Sequence, residues 1–338
     1  MRRAVTPFRL ALAGLGLLAV VFLALWLIPS NSYVFLPDRA HPVAPLVSLP
    51  GAKPDRDGGG IYFVDIFVRK ASLFERLWPG IHEGAQLVPA SELLAPGTSD
   101  KQRTVQDARE MTRSQQVAAA LALKAAGYRV VARPSGVIVE QVAADAPAAG
   151  ELLPTDVIVS ANGKPVRVPT DLRRVIGAQR PGATVRLGVR RGDRLVGIPV
   201  RTVADPSNPK RSIIGVFVTP AATIKLPFPV SIDAGNVGGP SAGLAFALDV
   251  LQRLGRNVTH GRRVAATGEI GLDGSVAPVG GIEQKTIGVR NSGIHVFLVP
   301  AGENAAEARR YAHGLRIVPV KSFRQALRRL ATLSKSAA

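Results

Sequence analysis

Residues 235–244 read Gly-Asn-Val-Gly-Gly-Pro-Ser-Ala-Gly-Leu. A serine set among glycines and followed by an apolar run through Leu254 predicts a hydroxyl held at the start of a helix. Leu244, Ala247, Leu248, Leu251 and Leu254 fall on one face at helical spacing, and Gly255 stops the run. Free amides and the positive end of the helix dipole would then lie beside Ser241 and stabilise an oxyanion formed there. Taken alone, the window fits a second reading equally well: a glycine-rich turn in which Ser241 caps a buried helix.

A downstream window, Val264 to Lys285, reads VAATGEIGLDGSVAPVGGIEQK. Together the two windows resemble the Lon-type serine–lysine protease family, whose nucleophile lies in a Pro-Ser-Ala-Gly motif and whose lysine follows a Gly-Gly-Ile or Gly-Gly-Leu turn. The resemblance extends over Thr267-Gly268-Glu269-Ile270 and over Gly274, Val276, Pro278, Val279, Gly280 and Gly281. It implies that Ser241 is the nucleophile and Lys285 its base, with Thr267 hydrogen-bonding near the lysine ammonium. Gly238, Gly239 and Pro240 would fix the approach to the serine, and the amides of Gly239 and Ser241 would be the oxyanion donors. A serine hydroxyl needs a base, and lysine can serve if apolar burial brings its pKa from about 10.4 towards roughly 7 to 8. Ile282, Ile287 and Val289 supply apolar neighbours on a helix predicted to end near Gly293. Beyond it the pattern predicts a strand at 294–299, a helix at 303–313, a strand at 315–320 and a basic helix at 323–333, an alternation that argues an α/β body.

Working upstream, residues 128–205 read as a separate module. Strands are expected at 136–142 and 156–163, a helical turn at 145–149, a helix at 170–178 and then two strands joined at Arg191-Gly192-Asp193. This order resembles a PDZ domain of the bacterial-protease type, except that Thr155 stands where that family has glycine. The resemblance implies a peptide C-terminus added as a strand beside the first long strand. Its carboxylate would be held by the loop Pro134, Ser135, Gly136 and Val137 with Ile138, and Leu172 and Ile176 would line the groove. Such a module could equally serve to pack against the protease or gate it.

Between Gly60 and Arg69 the chain alternates as a strand, and 114–127 reads as a helix capped by Ser114 and stopped by Gly127. Because Lon-type domains place a strand and an alanine-rich helix before the strand leading to their serine, 60–127 is expected to join 212–334 in one proteolytic domain interrupted by the module. Residues 29–59, rich in proline, glycine and aspartate, read as an extended linker. From Leu10 to Ile28 every residue but glycine is apolar, and nineteen residues at 1.5 Å rise give about 28 Å, close to the roughly 30 Å bilayer core. Arg2, Arg3 and Arg9 precede this expected transmembrane helix, and only Arg39 lies within twenty residues after it. Residues 1–9 should therefore face the cytoplasm, with the catalytic part outside it.

Of 338 residues 46% are hydrophobic, ample for a packed core, and with no cysteine a disulfide, a thiolate metal site and a cysteine nucleophile are excluded. The five histidines are scattered and His82-Glu83 lacks a second histidine, so neither a metal nor a cofactor is expected. The net charge of +19 is dispersed and aromatics are only 5%, which argues against nucleic acid and for a basic surface beside anionic lipid. Gly163-Lys164 is followed by proline, so no P-loop is present and substrates should be flexible or unfolded segments. Gly239 to Gly243 also fits the Gly-x-Ser-x-Gly elbow of α/β-hydrolases, with Asp273 and His295 or His313 in order, but a glycine-rich loop stands where that elbow needs a strand. The expectation is a membrane-anchored, ATP-independent serine endopeptidase of α/β (α+β Lon-type) fold with an inserted small β-rich PDZ-like domain. Its partners would be peptide or protein substrates and membrane lipid, and family resemblance suggests a homo-oligomeric ring. The alternative is a catalytically silent, membrane-tethered peptide-binding scaffold.

Overall fold

A computed structural model describes residues 7–55, 58–94 and 99–333, without the side chains of residues 7, 9 and 10. Arg2 and Arg3, on which the expected orientation rests, lie outside the described residues. The chain opens with helix α1 (Pro7–Leu27), whose Leu12, Leu15, Leu17, Leu18 and Leu23 are exposed. Among the described residues no helix is long and apolar enough to cross a membrane.

Directly after α1 come β1 (Pro29–Pro42), β2 (Val47–Ser48) and β3 (Gly60–Ser72), then α2 (Leu73–Leu77), a 3-10 turn at Pro79–Ile81, β4 (Gln86–Pro89), α3 (Ala90–Leu93) and α4 (Asp100–Ala125). The reading of 29–59 as a linker is thereby corrected. Residues 29–42 form an interior strand of the main sheet, paired antiparallel with β3 on one side and β4 on the other. Its prolines disguised it, yet Pro29 and Pro42 sit at its ends. Pro37 falls at a register shift beyond the last β4 partner, Phe35, where a missing N–H is tolerated. Helix α4 also begins earlier than expected. Its N-cap is Ser99, which accepts from Gln102 N in a capping box, and Ser114 lies mid-helix.

The module follows as β5 (Val131–Val142), β6 (Val157–Ala161), β7 (Lys164–Pro165), α5 (Pro169–Gly177), β8 (Thr184–Arg191), β9 (Arg194–Arg201), β10 (Val203–Asp205), β11 (Asn208–Ile213) and β12 (Val216–Lys225). Its sheet runs β12-β5-β6-β8-β9, and Val137, Val139, Ile158, Leu172, Ile176 and Leu187 meet in its own core. Beneath it, Asp156 is fully buried but neutralised by a two-point contact with Arg191, at 2.8 and 2.7 Å.

The remaining elements are β13 (Ser231–Ile232), α6 (Gly243–Arg253), β14 (Arg263–Ala266), β15 (Glu269–Ile270), β16 (Val276–Ala277), α7 (Ile282–Asn291), β17 (Val296–Pro300), α8 (Glu303–Arg310), β18 (Arg316–Val320) and α9 (Phe323–Thr332). The main sheet has the order β18-β17-β14-β3-β1-β4, uniting strands from both sides of the module in a mixed α/β domain. Alternation along its strands sorts the helices. Ile61, Phe63, Val264 and Ala266 face a core shared with α4, α6 and α9, whereas Val64, Ala265 and Phe297 face Ile282 and Val289 of α7 and Ala305 and Ala308 of α8.

Candidate active site

Ser241 ends the glycine-rich turn two residues before α6 and is half-buried, while the helix behind it is buried along nearly its whole length. What holds the turn comes from α4, the helix least legible in sequence. Gly239 N donates to Asp107 O at 2.9 Å, and Ser114 Oγ donates to Pro240 O at 3.0 Å. A Cβ on Gly238 would lie 2.7 Å from Asp107 Cβ, and one on Gly243 would lie 2.6 Å from Ser114 Oγ. Glycine is therefore required at both positions by close packing on α4. From the other side Gly268 N donates to Ser241 O at 2.7 Å and Thr267 Oγ1 donates to the same carbonyl at 3.2 Å.

One expectation is corrected by these contacts. The Gly239 amide is engaged by α4, which removes it as an oxyanion donor, while the Ser241 amide has no acceptor among the described residues. Thr267, fully buried, donates its hydroxyl proton to the serine turn, which leaves its oxygen lone pairs as acceptors. It fastens the nucleophile's backbone.

Lys285 lies in the first turn of α7, whose N-cap Gly281 has φ +67, a left-handed conformation that glycine adopts without strain. A Cβ on Gly281 would also press on Ile66 of β3 at 3.0 Å. The helix crosses β1 so closely that a Cβ on Gly288 would collide with the Asp38 carbonyl. Packed this way, Lys285 is only 3% exposed. Burial lowers its pKa from 10.5 to about 8, and the carboxylate of Asp65 on β3 opposes part of that fall.

Strand register sets the segments that contact the two residues level with one another. Ala265 pairs with Tyr62, so the chain leaving β14 at Thr267-Gly268 is level with Val64 and Asp65. Gly268 holds the Ser241 backbone from one face, and Asp65 acts on Lys285 from the other. Because β14 ends at Ala266, no strand residue of β14 separates them beyond that point.

Carboxylates surround this end. Burial raises the pKa values of Asp107, Glu110 and Glu269, and Glu140 on β5 of the module raises Glu269 further. Asp38, His41 and Asp65 form a cluster whose ligand atoms lie within 4.8 Å of one another. His41 Nε2 stands 3.4 Å from Asp38 and 3.8 Å from Asp65, an arrangement that ion pairing accounts for. The hydrolase-elbow alternative finds no support, since the short β13 ends at Ile232, well short of the serine, and the Asp273 carboxylate is bound by Ser275.

The expected peptide groove is also corrected. At the expected groove β5 is paired on both sides: β6 pairs with Val137 and Ile138, and β12 pairs along the strand from Val131 to Val142. Val137, Leu172 and Ile176 are core residues rather than groove walls. A Cβ on Gly136, at φ +138, would meet the Ile158 carbonyl at 2.6 Å, so Gly136 serves strand packing. Pro134, Ser135 and Ile138 likewise lie within the β5–β12 ladder or beside its register shift. Ser212 Oγ donates to Gln179 O at 2.9 Å, which lays β11 along the end of α5. The sequence offered no signal for this, because β12 lies beyond the module's recognisable repeat of elements.

A glycine-flanked serine before α6 and a buried lysine of lowered pKa on α7 thus lie on elements packed against one α/β sheet. Residues 224–332 match the family model of the Lon protease (S16) C-terminal proteolytic domain, and residues 124–202 match that of the PDZ domain. The chain carries both a Lon-type protease domain and a PDZ domain. It is 34% identical over 91 residues to Lon protease 2 of Bacillus subtilis, covering 27% of this chain and 16% of that one. With Lon protease 1 of Sorangium cellulosum it shares 42% over 79 residues, covering 22% and 10%. With Lon protease 1 of Myxococcus xanthus it shares 38% over 101 residues, covering 29% and 12%. The chain thus spans less than a fifth of the length of these relatives. The PDZ domain of an SdrC-like protein from Listeria monocytogenes is 26% identical, with a TM-score of 0.23, covering 25% of this chain and 87% of that one.

Proposed function

We propose that this chain is a membrane-anchored serine endopeptidase acting without ATP on flexible or unfolded polypeptide segments. Ser241 Oγ attacks the scissile carbonyl carbon as its proton passes to neutral Lys285 Nζ. The oxyanion is met by the Ser241 amide at the positive end of α6. Lys285 returns the proton to the leaving amine, the carbon–nitrogen bond breaks, and an acyl ester on Ser241 remains. Water, deprotonated by the same lysine, then releases the acid. The observation that carries this reading is the burial of Lys285, which holds its pKa at about 8 and leaves about a tenth of it neutral at pH 7.

The anchor would be α1, twenty-one residues and about 32 Å long when its first turn is included, with its apolar side chains facing outward. Its arginine-bearing end would face the cytoplasm and the folded body the other side. With Val137 and Ile138 of β5 paired on both sides, the PDZ domain is better suited to gating the site or bracing it than to capturing a peptide at those residues. Self-association into a ring is proposed on family likeness. Cleavage of an unstructured protein such as casein by the intact chain and by Ser241→Ala tests the central claim. Cleavage lost in the variant supports it, and identical cleavage, or none by either, leaves the tethered scaffold.

A further inference from the structure

We propose that the loop from Ser72 to His82 is a second membrane-contacting element, seated in the lipid interface beside α1. The inference rests on the reading that α1 is a membrane anchor. Leu77, Trp78 and Ile81 are 59%, 57% and 44% exposed, and with Phe74 they line an open apolar groove. Such a concentration of large apolar side chains on an outer surface marks a contact site.

The loop is built to show this face. Its polar groups are satisfied inward by Glu75, which is 2% exposed. That carboxylate accepts from Arg69 Nη1 and Nη2 at 2.8 and 2.5 Å and from Ser72 N at 2.9 Å, and it meets His82 Nε2 at 3.1 Å. A single buried anion thus ties the strand before the loop to the residue after it, so the apolar tip projects from a rigid base. Arg76, exposed on the same turn, supplies a cation for anionic headgroups.

Depth is fixed as well. Leu73 N donates to Ile28 O at 3.0 Å, Ser30 Oγ donates to Ala71 O at 2.8 Å, and Pro29 pairs with Ser72. The end of α1 and the start of the loop are therefore one ladder. An aromatic run continues it: Phe74 lies 5.0 Å from Phe22, 5.5 Å from Trp26 and 5.1 Å from Trp78 between ring centroids. Trp78 is thereby held near the level of Trp26, where a span leaves the hydrocarbon and aromatic side chains collect. Lipid is the occupant this geometry favours over a protein partner, because the groove is continuous with the exposed side of α1.

The chain has two tryptophans, which makes the test direct. Full-length Trp26→Phe, reporting Trp78, and full-length Trp78→Phe, reporting Trp26, are each reconstituted into phosphatidylcholine–phosphatidylglycerol vesicles with acyl chains brominated near the headgroup. The expected result is a blue-shifted Trp78 emission, quenched about as strongly as that of Trp26. Trp26 quenched with Trp78 unquenched would overturn the loop proposal while leaving the anchor in place. Neither quenched would overturn both. Adding Leu77→Ser and Ile81→Ser to the Trp26→Phe protein, both at exposed positions, should reduce the quenching of Trp78. Unchanged quenching would show that the apolar tip does not seat the loop and would overturn the proposal.

Discussion

Replacing Lys285 with methionine should stabilise the fold near neutral pH while abolishing cleavage. The lysine is 3% exposed and burial brings its pKa from 10.5 to about 8. A displacement of that size corresponds to about 3 kcal/mol of preference for the neutral amine in the folded state. Because the folded pKa lies below the unfolded one, the unfolded chain binds more protons between about pH 8 and 10.5. Stability therefore rises across that interval, and below about pH 8 the native protein carries the whole penalty of a charge in an apolar setting. Methionine has a similar length and no charge, so it removes the penalty with little change in packing. Urea unfolding followed by circular dichroism should find Lys285→Met more stable by about 2 to 3 kcal/mol at pH 7 and by under about 1 kcal/mol at pH 10. Taking the difference between the two proteins cancels other groups that titrate in the same range. A difference that stays constant from pH 7 to pH 10, or a variant less stable at pH 7, would refute the claim that a buried, readily neutralised amine sits at this position.

Asp65 opposes the fall in the Lys285 pKa, so Asp65→Asn should move the rising limb of kcat/KM against pH to below about pH 8; a midpoint that stays or climbs would contradict this coupling. Gly243→Ala places a methyl 2.6 Å from Ser114 Oγ and 2.9 Å from Ile270 Cγ2, so the serine turn must shift. The expected cost is about 1 to 3 kcal/mol in urea unfolding, with kcat lowered at least roughly tenfold. Thr155, a β-branched residue at φ +71 whose buried Oγ1 has no partner among the described residues, is strained. Thr155→Gly should raise stability by about 1 kcal/mol, and a loss would show that the strain is absent.

Legibility in the sequence followed local periodicity. The helix after Ser241, the helix that carries Lys285 and the strand and helix alternation beyond it were readable, because apolar spacing and glycine stops act over a few residues, whereas the roles expected of Ser241 and Lys285 came from the family resemblance. Strand β1 was not. Its sequence Pro-Ser-Asn-Ser-Tyr-Val-Phe-Leu-Pro-Asp-Arg-Ala-His-Pro has turn composition, and its strand state comes from two partners distant in sequence. The first half of α4 was equally silent. Residues 100–113 are mostly polar, and the side that matters there offers a backbone carbonyl at Asp107, which leaves no trace in a hydrophobic pattern. The Gly239 amide was misjudged as an oxyanion donor for that reason: which amide is free depends on a contact between the serine turn and a helix more than a hundred residues earlier.

The same tertiary pairing changes what the PDZ domain can do. Strands β5 and β12 are the two crossings between the domains, and they pair from Val131 with Lys225 to Val142 with Val216. An inserted domain joined by two loose linkers could swing freely, whereas one joined by a two-stranded ladder, here with two register shifts, resists a tilt because bending it breaks inter-strand hydrogen bonds. At the far end of that ladder Glu140 already acts on Glu269, which follows the Gly268 that holds the Ser241 backbone. A tilt of β5 would therefore change the charge felt beside the serine turn without touching the serine itself.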